Sequence, residues 1–284
     1  MNNRIGPYHV VAFPQARQAV LSFLGLSSWG HCIFALLEVD VTVARRFMDE
    51  YEARTGEGLS FTGYLTFCLA RAVDEDKSVQ AYRKGRDQLV VFDDVDVGMM
   101  IERQIGETRT PVGHVIRRAN HKTFMGIHQE IRAVQAGPSP QRKEMAPWLR
   151  LLPRLPGPLR KLFSAFVRMA IRRNPAGRWV AMAGTVSVTA VGMFGKGSGW
   201  GLAAPTGHTL CLIVGGIARK PAVVEDRIEP REILSLTVAF DHDIVDGAPA
   251  ARFSRCLKEL IERGYGLDED PTNSAIDTQA VATE

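Results

Sequence analysis

Cysteine is scarce in this chain and scattered. The four, Cys32, Cys68, Cys211 and Cys256, form no Cys-x-x-Cys pair, which argues against a zinc site and against a disulfide framework. A reducing cytoplasm is the expected compartment. Long apolar runs are missing too: 209–218 is far shorter than the roughly 20 residues a membrane-spanning helix needs. The opening residues, Met1 to Pro7, are polar and lack the apolar core of a signal peptide. Acidic residues are absent between Glu144 and Glu225, so every Lys and Arg of that stretch adds to the positive charge. The opposite holds from Asp268 to Glu284, an acidic, polar tail with too little apolar surface to fold. No recognised nucleic-acid module accompanies the basic residues, so nucleic acid is not expected as a partner.

The rest is ordinary in composition. In 284 residues, 45% are hydrophobic and 23% charged, with a net charge of +4. Such a chain buries a core without staples and makes one large domain or two small ones. One phrase stands out, Asp241-His242-Asp243-Ile244-Val245-Asp246-Gly247. Before it, Leu234, Leu236, Val238 and Phe240 alternate with Ser235, Thr237 and Ala239, the period of a half-buried strand. After it, Phe253, Leu257, Leu260 and Ile261 recur at helical spacing, with Pro249 in the first turn and Gly264 as the stop. His242 is thus expected where a strand ends in a turn. A histidine there can serve as a general base near neutral pH, although most loop histidines are merely solvated.

Upstream, residues 1–25 read as a lead-in helix or arm. A strand over 33–41 precedes a helix over 43–53 that Thr42 would cap. A second helix starts at Ser60 or Thr62 and carries Leu65, Leu69 and Val73. Residues 82–86 read as a turn. Strands are expected over 89–92, 95–101 and 110–116, then a helix over 123–134. A turn is expected over 218–221.

The His-x-x-x-Asp-Gly phrase in its strand–turn–helix setting resembles the active-site signature of the E2 acyltransferases of 2-oxoacid dehydrogenase complexes. The same core occurs in the chloramphenicol acetyltransferase superfamily. Other phrases follow in the family's order: Val39-Asp40-Val41-Thr42, Val95-Asp96-Val97-Gly98, Pro111-Val112, Glu130-Ile131, then Thr185 to Gly195 and Leu210 to Gly216. The resemblance covers about 17–264. It implies an α/β two-layer sandwich with a mixed sheet, the chloramphenicol acetyltransferase-like fold. The domains expected are an acyltransferase domain over 1–264 and a disordered tail over 265–284.

The resemblance also implies chemistry, the transfer of an acyl group between coenzyme A and a dihydrolipoamide-like thiol. A free thiol ionises near pH 8.5 and attacks far better as thiolate. His242 is the implied base. Asp246 would brace the turn, with Arg17 as the implied partner. Gly247 would allow a conformation or close approach that a side chain would block. Thr189 falls where the family carries the serine that donates to the oxyanion. It keeps the hydroxyl and adds a methyl group. Asp243 falls where the family commonly has arginine, and its reversed charge is expected to raise the pKa of His242. Coenzyme A is expected as substrate, its binding residues unassigned, and no metal is expected. The implied assembly is a homotrimer with the active site between subunits. E2 chains usually carry lipoyl and subunit-binding domains. No lipoyl-lysine hairpin or Ala/Pro-rich linker is visible here, so a lipoyl group is expected only in trans.

Residues 137–183 depart from the family. They are proline-rich at first and then helical, with Leu162, Phe163, Phe166, Val167, Ala170 and Ile171 against Arg160, Lys161, Arg168, Arg172 and Arg173. This excursion packs on its own domain or a neighbouring subunit, or rests through 159–173 on an anionic membrane. An alternative to the enzyme is an inactive E2-like scaffold or partner-binding trimer.

Overall fold

In the computed structural model the described residues are 31–85, 87–105, 108–137, 158–159, 162–163, 165–166, 169, 178–191, 197–203 and 207–267. The alternation that marks 234–240 is realised in strand β8 (Arg227–Asp241). Its partners in sequence order are β1 (Cys32–Asp40), β4 (Val97–Ile105), β5 (Thr108–Ile116), β6 (Val186–Ala190) and β7 (Leu210–Val224). Together they form a six-stranded sheet in the order β1-β8-β7-β6-β4-β5. β6 runs parallel to β4 and to β7, and the other pairings are antiparallel. A short hairpin of β2 (Tyr82–Lys84) and β3 (Gln88–Val90) stands apart. It replaces the turn expected at 82–86.

Helices cover one face of the sheet. They are α1 (Thr42–Thr55), α2 (Phe61–Glu75), α3 (Phe124–Ala136) and, after the single turn α4 (Arg178–Ala183), α5 (Gly247–Glu262). This is the two-layer mixed-sheet sandwich that the sequence implied. Leu234, Leu236, Val238 and Phe240 point into the helix layer, where they meet Phe253, Leu257, Leu260 and Ile261 of α5 in one buried cluster. The rings of Phe240 and Phe253 pack edge to face at 5.8 Å. Burying side chains of this size contributes about 1.5–3 kcal/mol each. α2 is the central helix, buried from Gly63 to Ala70 without a break. Ser60 starts it, accepting from the Gly63 N–H at 3.1 Å. The opposite face holds a smaller cluster of Cys211, Ile213 and Ala239.

Three expectations are corrected. Thr42 does not cap α1. It is the first helical residue, and Asp40 Oδ1 accepts from both its N–H, at 2.9 Å, and its hydroxyl, at 2.5 Å. The freed hydroxyl oxygen accepts from Glu232 N–H at 2.9 Å and ties α1 to β8. The turn expected at 218–221 is absent, because β7 continues to Val224. Pro221 faces Pro230 in the register. Two prolines cannot form a hydrogen-bonded pair, so each stands where its nitrogen points away from the partner and no ladder bond is lost. The reversal comes later, at Glu225 and Asp226, both with positive φ (47° and 63°), as a two-residue hairpin turn requires. Finally, the packed chain runs past 264. Tyr265 stacks on Phe67 at 5.7 Å and Leu267 is 3% exposed.

Candidate active site

The site is built where β8 hands over to α5. Asp241 ends the strand, and its carbonyl accepts from the N–H groups of Ile244 (3.1 Å) and Val245 (2.9 Å). Its carboxylate accepts from Asp243 N–H at 3.0 Å. Val245, 3% exposed, anchors the turn in the core. Asp246 then takes the N-cap position of α5 with extended backbone, and its carbonyl accepts from Ala250 N–H at 3.1 Å. The residues between strand and helix are therefore held by main-chain bonds and one buried side chain, which leaves His242 on the outside.

His242 projects outward, its side chain 42% exposed, and its main-chain N–H donates to the His31 carbonyl at 2.6 Å. Its Nδ1 lies 3.8 Å from Asp246 Oδ1, beyond hydrogen-bond reach. Asp246 makes no side-chain cap bond and its side chain is 85% exposed. The implied brace, Arg17, lies outside the described residues. Gly247 shows neither expected feature. Its φ is not in the left-handed region, and an added Cβ would meet nothing within 4 Å. Nothing in the packing of the described residues therefore requires a glycine there.

Thr189 is not beside His242. It is half-buried on β6, and the register sets Thr189 opposite Ile213 and Ile213 opposite Thr237. Thr237 is five residues short of His242 on β8. At about 3.3 Å per residue and 4.8 Å per strand, Thr189 and His242 are on the order of 15–20 Å apart. Val186 and Val188 point into the helix layer, so Thr189 faces the other side of the sheet.

The structure adds two residues that sequence reasoning passed over. His31 precedes β1, and its Nδ1 lies 2.6 Å from Asp243 Oδ1. The Asp243 hydrogen bond and charge push the His31 pKa up. Cys32 faces Asp241 across the β1–β8 ladder. Burial, then the charges of Asp241 and Asp243, push its thiol pKa up and disfavour a thiolate. The only signal for either was adjacency to a strand whose pairing with β8 the sequence does not state. The other described histidines have structural partners, His128 and His114 among them. His128, 1% exposed, accepts from Ser60 N–H through Nδ1 at 3.1 Å and reaches Glu57 through Nε2 at 3.0 Å. His114 pairs with Glu130 at 2.8 Å. Among the described residues no group of His, Cys, Asp or Glu is placed to hold a metal ion, and no helix is long and apolar enough to cross a membrane.

Residues 180–267 match the family described as 2-oxoacid dehydrogenases acyltransferase (catalytic domain). The probable dihydrolipoyllysine-residue succinyltransferase component of the 2-oxoglutarate dehydrogenase complex of Schizosaccharomyces pombe is 32% identical over 226 residues, 78% of this chain and 41% of that protein. The chain spans less than half the length of the curated relatives it matches. Among solved structures, a probable dihydrolipoamide acetyltransferase from Listeria monocytogenes superposes with a TM-score of 0.63 at 20% identity, over 92% of this chain and 96% of that one. The dihydrolipoamide acetyltransferase of Azotobacter vinelandii gives 0.59 at 18% identity, over 91% and 96%. In that enzyme the catalytic role of a serine, a histidine and an asparagine four residues after the histidine has been investigated.

Proposed function

We propose, on the premise that this chain is related to the acyltransferase catalytic domains of 2-oxoacid dehydrogenase complexes and has the fold of their cores, that it transfers acyl groups between coenzyme A and a dihydrolipoamide-like thiol. The observation that carries this is His242. Its main chain is tied down on both sides while its ring faces outward, four residues ahead of Asp246. The same four-residue interval separates the histidine and asparagine of the Azotobacter enzyme.

The chemistry follows from the ring's position. His242 removes the proton of the attacking thiol as the sulfur adds to the thioester carbonyl, which raises nucleophilicity at a pH where most thiol is protonated. The carbonyl π electrons move to oxygen and form a tetrahedral oxyanion. A preorganised hydroxyl stabilises that charge, and Thr189 is the residue assigned to it. Collapse of the intermediate breaks the old carbon–sulfur bond, and the leaving thiolate takes the proton back from His242. Asp246 opens α5 through its main chain, its carbonyl accepting from the Ala250 N–H.

Thr189 and His242 of one chain are too far apart to share a carbonyl. The assignment therefore requires a second copy to bring its Thr189 to His242, in a trimer with the site at its interface. Among the described residues the space beside Gly247 is open, which suits a substrate or a neighbouring copy there.

The experiment is acyl transfer from acetyl-CoA to dihydrolipoamide, read as thioester formation, for the wild type and His242→Ala. A loss of about 10²–10⁴ in kcat is expected. Absence of both turnover and coenzyme A binding with several acyl-CoAs would sink the enzyme reading in favour of an inactive E2-like scaffold.

A second observation supports a membrane-peripheral role. The described residues of 158–169 are helical. Among them Leu159, Leu162, Phe166 and Met169, spaced along one helix face, are 49%, 68%, 61% and 48% exposed. The neighbouring Arg160, Lys161, Arg168, Arg172 and Arg173 supply positive charge. Their side chains lie outside the described residues. An exposed apolar stripe flanked by basic residues suits the surface of an anionic bilayer. Sedimentation with phosphatidylserine-containing vesicles at low salt tests this. Wild type is expected in the pellet and Phe166→Glu in the supernatant, whereas a wild type that stays in solution rejects it.

A further inference from the structure

Strands β7 and β8 outrun the sheet that holds them. β1 pairs with β8 only from Ile233 to Asp241, and β6 pairs with β7 only from Cys211 to Val214. Residues 219–232 therefore form a two-stranded ribbon, closed by the turn at Glu225 and Asp226. Its two faces differ. Side chains alternate along a strand, so Glu232, Pro230 and Ile228 continue the side of Leu234 and Leu236. Arg219, Pro221 and Val223 stand opposite them on that same face. Glu232 still meets the helix layer, through Arg45 of α1 at 3.5 Å. Beyond it Pro221, Pro230, Val223 and Ile228 are exposed. Val223 and Ile228, at 75% and 77%, are the barest large hydrophobic side chains among the described residues. The other face is polar and tied to the body of the protein. Lys220 bonds to Glu38 at 2.5 Å, and Arg231 lies 3.7 Å from Asp40. The ribbon is thus held in one direction while it presents an apolar face that no described residue covers.

We propose that this face docks a second copy of the chain, ribbon on ribbon, about a two-fold axis. The charges at its two ends carry the choice of partner. Arg219 stands at the base, and Glu225 and Asp226 stand at the tip. None of the three has an ion pair among the described residues. Arg219 and Glu225 are each three residues from Ala222, the midpoint of the ribbon. A two-fold axis over that midpoint lays base against tip, as an isologous contact demands. Arg219 of each copy then meets Glu225 and Asp226 of the other, and Pro221 and Pro230 meet Val223 and Ile228. The prolines exclude the other route to association. Their nitrogens turn away from each other, so each edge of the ribbon lacks a donor and resists strand addition. The acidic tip keeps the face off an anionic bilayer. This contact does not rest on the acyltransferase reading. It is also distinct from the interface that Thr189 and His242 require, and it would join one trimer to the next. A standard interface takes about 20–30 residues a side. This one has far fewer, so it forms as concentration rises.

The test is sedimentation equilibrium of the full chain over a concentration series. The mass of wild type is expected to rise at least twofold from the dilute to the concentrated end. Ile228→Glu places a charge in the middle of the apolar face and should hold the mass at its dilute value. Its site lies clear of the core, and circular dichroism checks that it folds. Two charge reversals then test the geometry. Arg219→Glu sets like charges against the tip, and Glu225→Lys/Asp226→Lys sets like charges against the base. Each should stay at the dilute mass by itself. Mixed in equal amounts they should associate again, because every base–tip contact between unlike copies then joins opposite charges. A folding fault in either variant would not be cured by mixing. The proposal is overturned if wild type keeps one mass at all concentrations, if Ile228→Glu associates as wild type does, or if the mixed reversals stay apart. Acyl transfer is measured on the same samples. If none is active while the masses behave as expected, the acyltransferase reading fails and the ribbon contact stands.

Discussion

Thr189 on β6 is level with Thr237 on β8, five residues short of His242 and two strands away from it. Both belong to one continuous sheet, which cannot bend to close such a gap. A hydroxyl and an imidazole assigned to the same carbonyl must therefore come from different copies of the chain, and this can be tested without another structure.

His242→Ala and Thr189→Ala homo-oligomers are each expected to be defective, the first by about 10²–10⁴ in kcat and the second by about 10–10³. Co-refolding equal amounts of the two should restore activity. Under random assembly about one site in four receives an intact histidine from one copy and an intact threonine from another, as an interface repeated by symmetry allows. Mixtures that stay as inactive as their parents would show that the two groups do not meet across an interface.

Gly98 predicts a stability effect far from the candidate base. A Cβ there would lie 1.9 Å from the main-chain oxygen of Ala183. That carbonyl cannot retreat cheaply, because α4 leads directly into Gly184, whose own φ is +85°. Gly98→Ala is expected to cost about 2–4 kcal/mol in urea denaturation, with the midpoint falling at unchanged slope. A variant as stable as wild type would mean that α4 is free to shift.

Glu130 predicts a pH effect. Burial alone would raise its pKa, but hydrogen bonds from Lys122 and His114 outweigh that and hold it below its usual 4.5. A carboxylate depressed on folding adds stability that is fully present above its unfolded pKa and fades as pH falls through the folded one. The contribution is about 1 kcal/mol or less, since His114 and Glu130 are both partly exposed. Glu130→Gln should be less stable than wild type at pH 7, and the two should converge below pH 4. A constant gap across that range would assign the loss to packing instead.

Much of this was legible before the fold was known. The β8 strand, the turn and α5 follow from a change of hydrophobic period, from two to about 3.6, within a few residues, and local chemistry is enough for that. The start of α2 at Ser60 is equally local, a hydroxyl accepting from the N–H three residues on. The misread elements depended on pairing partners outside the segment itself. Pro221 looks like a strand-ender until Pro230 is seen opposite it. Tyr82 to Lys84 looks like a turn until β3 pairs with it. Thr42 looks like a cap until its hydroxyl is found bridging Asp40 and Glu232.

The order of residues alone established that His242 follows the end of a strand, that Asp246 and Gly247 open a helix, and that the alternate residues of β8 face a core. These follow from covalent spacing and short-range sterics. Which neighbours surround His242 was decided only when β1 paired with β8 at one register. That pairing brought His31 from more than two hundred residues away and turned Asp243 toward it, while the β6–β7 and β7–β8 registers kept Thr189 at a distance. A slip of one residue would have put each of these side chains on the opposite face, and nothing within either segment records the choice, because it is made by the burial of the whole sheet.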